Sequence, residues 1–319
     1  ISIDWLENTG NNYKFYLSAL NKKRTDSEHG EYRPLSASEV SKDSNCKTIQ
    51  DLLEEEHRIA GNSDKNKFNT RGLSKTKRDS DLLLSTEGLV KIYEERRVVD
   101  GIDVEVKEKE IVGLLGPNGA GKTTSFYMIV GLVRPDAGEV LFGSRNVTLM
   151  PMHLRARLGI GYLPQEESIF RKLTVYENIM AVLETMNFGK SEMIDRCHAL
   201  MKRFGIDKLA NNRAITLSGG EKRRLTIARS LVSNPKLLML DEPFSGVDPI
   251  AVGEIQEIVS QLREEGLSIL ITDHNVRETL GIVDRAYMIY EGKVLTQGTR
   301  DELVNNPEAR KFYLGDHFR

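Results

Sequence analysis

The residues best suited to do chemistry lie in the stretch IVGLLGPNGAGKTT, residues 111–124. They follow the spacing G-x-x-x-x-G-K-[ST], which is typical of a loop that binds nucleotide phosphates. Glycines let the backbone curl so that several N–H groups face one anion, at the positive end of the next helix. The lysine adds a charge for the phosphates, and the first threonine hydroxyl is placed to ligate Mg²⁺. The phosphate-binding residues predicted here are Gly116, Pro117, Asn118, Gly119, Ala120, Gly121, Lys122, Thr123 and Thr124.

Two adjacent carboxylates form a second reactive group. The run KLLMLDEP, residues 236–243, predicts an apolar strand that ends at Asp241 and Glu242. Open α/β sheets bind their ligands at this carboxyl edge. Asp241 is therefore predicted to hold Mg²⁺ through its water shell, and Glu242 to be the general base for a water attacking the γ-phosphate. The alternative, a pair of solvated charges at a strand end, does not explain the apolar run.

A third motif is LSGGE, residues 217–221. Ser218 and Glu221 have the spacing of a capping box, which by itself explains the start of a helix. It does not explain Gly219 and Gly220, which would expose the N–H groups of that helix start to an anion. Two phosphate-binding segments in one chain suggest that a nucleotide is held between two copies of the protein, so a homodimer is predicted.

Composition limits the possible partners and compartments. The chain has 319 residues and a formal net charge of −2, which gives no bulk attraction to nucleic acid or anionic lipid. Nucleic acid is therefore not predicted as a partner. Cys46 and Cys197 are far apart and belong to no C-x-x-C pair, which favours a reducing compartment without a disulfide framework. No apolar run approaches the roughly 18 residues that span a bilayer, and the first ten residues do not resemble a signal peptide.

The first 84 residues differ in composition from the rest. They are rich in Lys, Glu, Asp, Ser and Asn, a composition that buries little apolar surface and predicts a largely disordered extension. A cluster of apolar anchors that includes Trp5 and Phe15 interrupts it. A binding module that recruits or inhibits the main domain is the functional hypothesis for this segment.

The pattern changes at Leu82, and strands then alternate with helices, which predicts a mostly parallel sheet covered on both faces. Residues 98–106 read as one half-buried strand, residues 111–115 as a buried strand, and residues 123–132 as a helix. The segment from about 166 to 234 is almost entirely helical in pattern, with a capping box at Thr174 and Glu177. One α/β domain, residues 85–319, with an inserted helical subdomain explains this order.

The order of these motifs resembles that of ATP-binding cassette (ABC) ATPases over about residues 86–319. The resemblance implies an α/β P-loop NTPase fold, with a RecA-like core, an antiparallel β-subdomain and an inserted α-helical subdomain. It also implies ATP and Mg²⁺ as cofactors. Gln165 in YLPQE would sense Mg²⁺ and the membrane partner, and His274 in TDHN would contact the γ-phosphate. Tyr93 would stack on adenine, and Asp248 in SGVD would bridge the two sites of a dimer.

Within this family, longer stretches are similar to the ATPases of bacterial lipopolysaccharide exporters. They include RARLGIGYLPQEESIFRKLTVYENIMAVL, ITDHNVRETL and FYLGDHFR. The resemblance implies ATP hydrolysis that drives lipopolysaccharide export, on the cytoplasmic face of the inner membrane. Two transmembrane permease subunits would dock near residues 165–176, with Phe170 and Arg171 as the coupling residues.

Two other functions remain open at this point. The chain could be the ATPase of a branched-chain amino-acid importer, although the stretch DHNVRET argues against it. It could also be an ABC ATPase that acts on ribosomes or DNA. Such proteins usually carry two cassettes or a long coiled-coil insertion, and neither pattern is found in this sequence.

Overall fold

The computed structural model describes residues 81–166, 168–247 and 249–315. Most of the predicted extension, with Trp5 and Phe15, lies outside these ranges. Strand β1, Leu82–Tyr93, begins before the predicted domain boundary. Residues 82–84 thus belong to the folded domain rather than to the extension, and Leu83 and Leu84 are buried.

A six-stranded sheet forms the centre of the domain, with the strand order β11-β10-β4-β9-β8-β7. Five of its strands are parallel, and only the edge strand β11 runs antiparallel to its neighbour β10. The mostly parallel sheet that the sequence predicts is therefore confirmed. Its strands are β4 (Ile111–Leu115), β7 (Ile160–Leu163), β8 (Leu237–Asp241), β9 (Ser268–Thr272), β10 (Arg285–Tyr290) and β11 (Lys293–Gly298).

The second sheet is antiparallel, with the order β2-β1-β5-β6 and β3 paired to β1. Besides β1 it contains β2 (Arg96–Ile102), β3 (Glu105–Lys107), β5 (Ala137–Phe142) and β6 (Arg145–Asn146). The prediction of a single strand over residues 98–106 is wrong, because two separate strands, β2 and β3, occupy this segment. The Thr86 side chain bridges the gap between them: its hydroxyl accepts from Val104 N–H at 2.8 Å and donates to the Ile102 carbonyl at 3.2 Å.

The helices join these strands and cover the central sheet. The predicted helix over residues 123–132 ends at Val130, because Gly131 adopts a left-handed φ of 91° that closes it. The predicted capping box at Thr174 and Glu177 is present. The helices are α1 (Lys122–Val130), α2 (Met152–Leu158), α3 (Val175–Leu183), α4 (Lys190–Arg203), α5 (Gly219–Ser230), α6 (Pro249–Glu264), α7 (Val276–Leu280), α8 (Arg300–Asn305) and α9 (Pro307–Ala309).

Two buried apolar clusters cover the two faces of the central sheet. Successive residues of a strand point to opposite faces, and β4 shows this directly. Ile111 and Leu115 belong to the cluster that includes residues of α3, α4, α5 and α6, whereas Val112 and Leu114 belong to the cluster with α1 and the antiparallel sheet. Packing on both sides holds β4, and hence the loop that follows it, rigidly in place. Within the described ranges, every helix is too short or too polar to cross a bilayer.

Candidate nucleotide-binding site

The predicted phosphate loop connects β4 to α1, and the backbone of other strands packs closely against it. Gly116 has a φ of 148° and Gly121 a φ of 102°, values that L side chains rarely adopt. A Cβ atom on Gly116 would lie 2.1 Å from the Ile289 carbonyl oxygen, and one on Gly121 would lie 2.6 Å from that of Val98. Glycine is therefore required at both positions by backbone conformation and by space.

Lys122 is buried at the start of α1 and is bonded to its own loop. Its Nζ donates to the carbonyl oxygens of Gly116 at 2.7 Å and Pro117 at 3.0 Å. Burial lowers the pKa of this ammonium group, and the charges of Glu242 and Asp273 partly oppose the shift. Next to it, the Thr123 side chain is exposed at the helix start. The ammonium thus lies against the loop that would receive the phosphates.

Asp241 ends β8 and is 2% exposed. The hydroxyl of Tyr162 lies 3.4 Å from its Oδ2, and that of Tyr127 also bonds to the carboxylate. Burial raises the pKa of Asp241, and these hydrogen bonds oppose the shift. The sequence interpretation missed both tyrosines. The signal available for Tyr162 was its position three residues before Gln165 in YLPQE, whereas Tyr127 lies outside the quoted motifs.

Three predicted site residues meet at the carboxylate of Glu242. Its Oε2 lies 3.0 Å from Gln165 Nε2 and 3.3 Å from His274 Nδ1. The Glu242 backbone is left-handed, with a φ of 45°, which is uncommon outside glycine and often marks a functional site. Its N–H donates to the Thr272 carbonyl at 2.7 Å, which anchors it to the end of β9. The structure therefore brings the predicted base together with Gln165 and His274.

Asp273 is a fully buried carboxylate that the sequence interpretation did not identify. Its Oδ2 accepts from the Phe244 N–H at 2.9 Å, and its Oδ1 accepts from the Asn275 N–H at 2.8 Å. Burial raises its pKa, against the effect of these hydrogen bonds. The side chain joins the segment after Glu242 to the segment that carries His274. Its position beside His274 in TDHN was the only signal in the sequence.

The LSGGE motif starts α5 with the predicted capping box. Ser218 N–H donates to Glu221 Oε2 at 2.8 Å, and this bond lowers the pKa of Glu221. Gly219 and Gly220 line a cavity of about 230 Å³ whose wall also includes Gln165 and Glu242. The cavity wall contains no residue of the phosphate loop. The glycines thus line one cavity together with the predicted base and Gln165.

Two other predicted residues lie at the margins of this site. Tyr93 ends β1 and is 45% exposed, and the Lys91 ammonium lies 5.3 Å from its ring centroid. A stacking role on adenine stays a prediction for this ring. Asp248 lies outside the described residues, and its role across a dimer stays a prediction as well.

The predicted coupling residues belong to an ordered turn before α3. Asn178 is fully buried, and its side chain accepts from Phe170 N–H at 2.8 Å and donates to the Phe170 carbonyl at 3.0 Å. The Arg171 carbonyl accepts from Ile215 N–H at 3.0 Å. Held in this way, the Phe170 ring is 49% exposed, with the Arg229 guanidinium 4.6 Å from its centroid. A fixed, exposed aromatic ring suits contact with a partner.

The residues predicted to hold Mg²⁺ offer a hydroxyl, an amide oxygen and a carboxylate, in Thr123, Gln165 and Asp241. Hard oxygen donors of this kind suit Mg²⁺, which usually keeps waters and takes phosphate oxygens as well. Among the described residues, no group of three or more His, Cys, Asp or Glu side chains is placed to hold a metal alone. The donor set therefore fits a metal that arrives with a nucleotide.

A glycine loop between a strand and a helix, with paired carboxylates at the end of a nearby strand, defines a P-loop nucleotide-binding domain. The family model for the ABC transporter matches residues 99–245. The lipopolysaccharide export system ATP-binding protein LptB of Acidithiobacillus ferridurans is 52% identical over 237 residues, 74% of this chain and 98% of that protein. LptB of Escherichia coli K12 is 51% identical, with the same coverage of both chains.

Solved structures agree with these sequence relatives. The ADP conformation of MJ1267, an ATP-binding cassette of an ABC transporter, superposes with a TM-score of 0.67 at 25% identity. The match covers 74% of this chain and 99% of that one. The chain therefore belongs to the ABC transporter family of ATP-binding proteins and is an ABC ATPase. The predicted fold and family are confirmed.

Proposed function

We propose that this chain is the ATP-hydrolysing subunit of an exporter that moves lipopolysaccharide from the inner membrane towards the outer membrane. Its similarity to proteins named LptB carries the proposal, because 51% to 52% identity extends over 98% of their length. Similarity of this extent includes the site and the surfaces around it, rather than the phosphate loop alone. The same relatives argue against the two other functions left open by the motifs.

Glu242 acts as the general base for the water that attacks the γ-phosphate. Gln165 Nε2 and His274 Nδ1 both lie close to Oε2 of its carboxylate, at 3.0 Å and 3.3 Å. Phosphoryl transfer depends mainly on positioning and electrostatics, which such hydrogen bonds supply. His274 can then contact the γ-phosphate while it remains beside the base.

ATP is held by the phosphate loop, with the Lys122 ammonium against the β- and γ-phosphates and Tyr93 against adenine. Thr123, Gln165 and Asp241 would hold Mg²⁺, which would supply positive charge to the phosphate oxygens. Lys122 is already beside the loop backbone, so it exchanges carbonyl partners for phosphate oxygens when ATP binds.

Two copies of the chain hold two ATP molecules in a head-to-tail homodimer. Ser218, Gly219, Gly220 and Glu221 of one copy close over the ATP held by the phosphate loop of the other. The exposed helix start at Gly219 supports this arrangement. Asp248 bridges the two sites across the dimer.

Two transmembrane permease subunits, resembling LptF and LptG, dock near residues 165–176. Phe170 and Arg171 make the coupling contacts, and the exposed Phe170 ring beside Arg229 supports a helix-in-groove interaction. Docking of this kind places the chain in the cytoplasm, on the cytoplasmic face of the inner membrane.

The variant Glu242→Gln tests the catalytic part of the proposal. It should retain ATP binding and lose hydrolysis by about 10²-fold or more, since general bases contribute on that order. Glu264→Gln, at the exposed end of α6, is the matched control. Near-normal turnover of Glu242→Gln with its membrane partners present would refute the assigned base.

Purification of the tagged full chain from native membranes tests the transported substrate. Permeases whose reconstituted complex with this chain hydrolyses ATP faster in vesicles that contain lipopolysaccharide would support export. Co-purified amino-acid permeases would instead favour the importer. ATPase activity stimulated by nucleic acid would favour an ABC ATPase that acts on ribosomes or DNA.

A further inference from the structure

Lys91 is anchored by the segment that joins α1 to β5. Its Nζ donates to the Arg134 carbonyl at 2.9 Å and to Asp136 Oδ1 at 3.0 Å. The Lys91 side chain is only 15% exposed, although it carries a charge. The position of its ammonium group is therefore set by two acceptors on a neighbouring segment.

Asp136 also fixes the strand that carries this lysine. Its Oδ2 accepts from the Ile92 N–H at 2.7 Å, and its own N–H donates to the Val90 carbonyl at 2.8 Å. The bond from the Ile92 N–H, followed by the bond from Lys91, holds the pKa of Asp136 below its ordinary value of 3.8. Asp136 thus bonds to three consecutive residues of β1, with its carboxylate ionised at neutral pH.

The anchored ammonium group lies beside the ring of Tyr93. Residues two apart in a strand share a face, so Lys91 and Tyr93 lie on the same face of β1 as Leu89. Leu89 packs in the buried cluster that contains residues of α1, the helix that follows the phosphate loop. The Lys91 Nζ is 5.3 Å from the centroid of the Tyr93 ring, which is within the range of a cation–π contact.

A tight turn follows Tyr93 immediately. Glu94 and Glu95 have left-handed φ values of 46° and 69°, which are typical of a two-residue turn between antiparallel strands. Tyr93 pairs with Arg96 across this turn and is 45% exposed. Close to the tip of a hairpin, an exposed ring has few neighbours to restrict it. Its contact with an anchored cation therefore has a large share in its orientation.

We propose that Lys91 is a positioning residue for the nucleotide base, whose ammonium group covers one side of the Tyr93 ring and orients the ring for stacking on adenine. The proposal rests on the stacking role proposed above for Tyr93. A ring that is already held loses less freedom when a base stacks on it, so affinity increases. The gain concerns the adenosine part of the nucleotide, because Lys91 acts through the ring rather than on the phosphates.

Lys91→Met removes the cation and keeps a long, apolar side chain. With Mg²⁺ and the full-length chain, the Kd for ADP should rise about twofold to fivefold, the effect of one cation–π contact at a partly exposed site. The Kd for pyrophosphate should change less than about 1.5-fold, since the phosphate loop binds it without a base. Equal weakening of ADP and pyrophosphate binding, or an unchanged Kd for ADP, would overturn the proposal.

Two further lysine variants separate the ring contact from a general loss of charge. Lys91→Arg should keep the Kd for ADP within about twofold of that of the unsubstituted chain, because a guanidinium also makes cation–π contacts. Lys293→Met is the matched control: Lys293 also pairs with an aspartate, with its Nζ 3.2 Å from Asp100 Oδ2. A rise in the Kd for ADP as large in Lys293→Met as in Lys91→Met would contradict a role of the ring.

Tyr93→Leu distinguishes failure of this proposal from failure of the proposed function. If Tyr93→Leu leaves the Kd for ADP unchanged, the stacking role of Tyr93 is wrong and the role of Lys91 is wrong with it. If Tyr93→Leu weakens ADP binding and Lys91→Met does not, only the role of Lys91 is wrong. In the double variant, Lys91→Met should add no loss to that caused by Tyr93→Leu. A further loss of the same factor would show that Lys91 acts without the ring, and the proposal would fail.

Discussion

The imidazole Nδ1 of His274 lies 3.3 Å from Oε2 of Glu242. Asp273, the residue before the histidine, fixes the backbone on both sides of this contact through its bonds to Phe244 and Asn275. The histidine therefore approaches the Glu242 carboxylate from a loop whose backbone is held by Asp273. A ring held in this way can orient the carboxylate and reach the phosphate together, so its loss should affect catalysis more than binding.

His274→Gln should lower kcat for ATP hydrolysis by about 10²-fold, the order reported for loss of one preorganised polar group. The Kd for ATP should change less than about threefold, since binding depends mainly on the phosphate loop. His198→Gln is the matched control, because His198 is exposed on α4 beside Tyr176. Steady-state hydrolysis and equilibrium nucleotide binding decide the prediction. A large loss of ATP affinity with unchanged kcat would contradict it.

Asp241→Asn should stabilise the protein at neutral pH in the absence of Mg²⁺. Burial raises the pKa of Asp241 above its ordinary value of 3.8, so the folded protein retains a proton that the unfolded chain releases. The contribution of this group is fully present below about pH 4 and is lost as pH rises through the folded-state pKa. Asparagine keeps an oxygen for the tyrosine hydroxyls and carries no charge. The expected gain above that pKa is about 1–2 kcal/mol in the free energy of unfolding.

Urea unfolding from about pH 4, close to the ordinary pKa of 3.8, up to pH 8 measures this difference, without metal or nucleotide. The gap between Asp241→Asn and the unsubstituted chain should narrow as pH falls. Asp195→Asn, at an exposed position on α4, should show no such trend. A gap of constant size across the pH range would contradict the assigned effect of burial.

Arg155→Met should destabilise the domain by about 3 kcal/mol, because it leaves several buried carbonyl groups without donors. Arg155 is 1% exposed and caps the end of α1: its Nη1 donates to the Met128 carbonyl at 2.8 Å, and its Nη2 to the Thr148 carbonyl at 2.9 Å. Burial lowers its pKa to about 10, so it remains charged at neutral pH. Arg157→Met is the control, because Arg157 lies at an exposed position of α2, the helix that carries Arg155. Equal urea midpoints for the two variants would contradict the prediction.

Local patterns explain how much could be predicted from the sequence. The phosphate loop, the carboxylates after β8 and the capping boxes at Thr174 and Ser218 each depend on neighbouring residues, and the structure contains all of them. The gap between β2 and β3 could not be predicted, because the residue that bridges it, Thr86, lies on another strand.

The same distinction between local patterns and tertiary contacts applies within the site. Gln165, Glu242 and His274 could be named from motifs, yet their meeting at one carboxylate is a tertiary contact. Tyr313 donates a hydrogen bond to the His274 carbonyl at 3.1 Å from a segment without any chemical motif. Periodicity and spacing carry no information about such contacts, because they arise only when the strands assemble.

Phe170→Ala should separate coupling from hydrolysis. The ring is half exposed beside Arg229, and the backbone of its turn is bonded to the buried Asn178. Because those backbone bonds do not need the ring, the isolated chain should keep its ATPase rate within about twofold. Its affinity for the membrane partners should fall about tenfold or more, since exposed aromatic anchors contribute strongly to interfaces.

Phe188→Ala is the matched control for this variant. The Arg196 guanidinium lies 4.1 Å from the centroid of the Phe188 ring, so this ring is also stacked by an arginine. Phe188 lies between α3 and α4, and is therefore distant in sequence from the turn that carries Phe170. Both variants lose one aromatic ring and one cation–π contact, and Phe188 also packs against the core, so a general loss of stability should be at least as large in Phe188→Ala. Co-purification from membranes and hydrolysis by the isolated chain distinguish the outcomes. Equal retention of the membrane partners by the two variants would show that Phe170 is not a coupling residue.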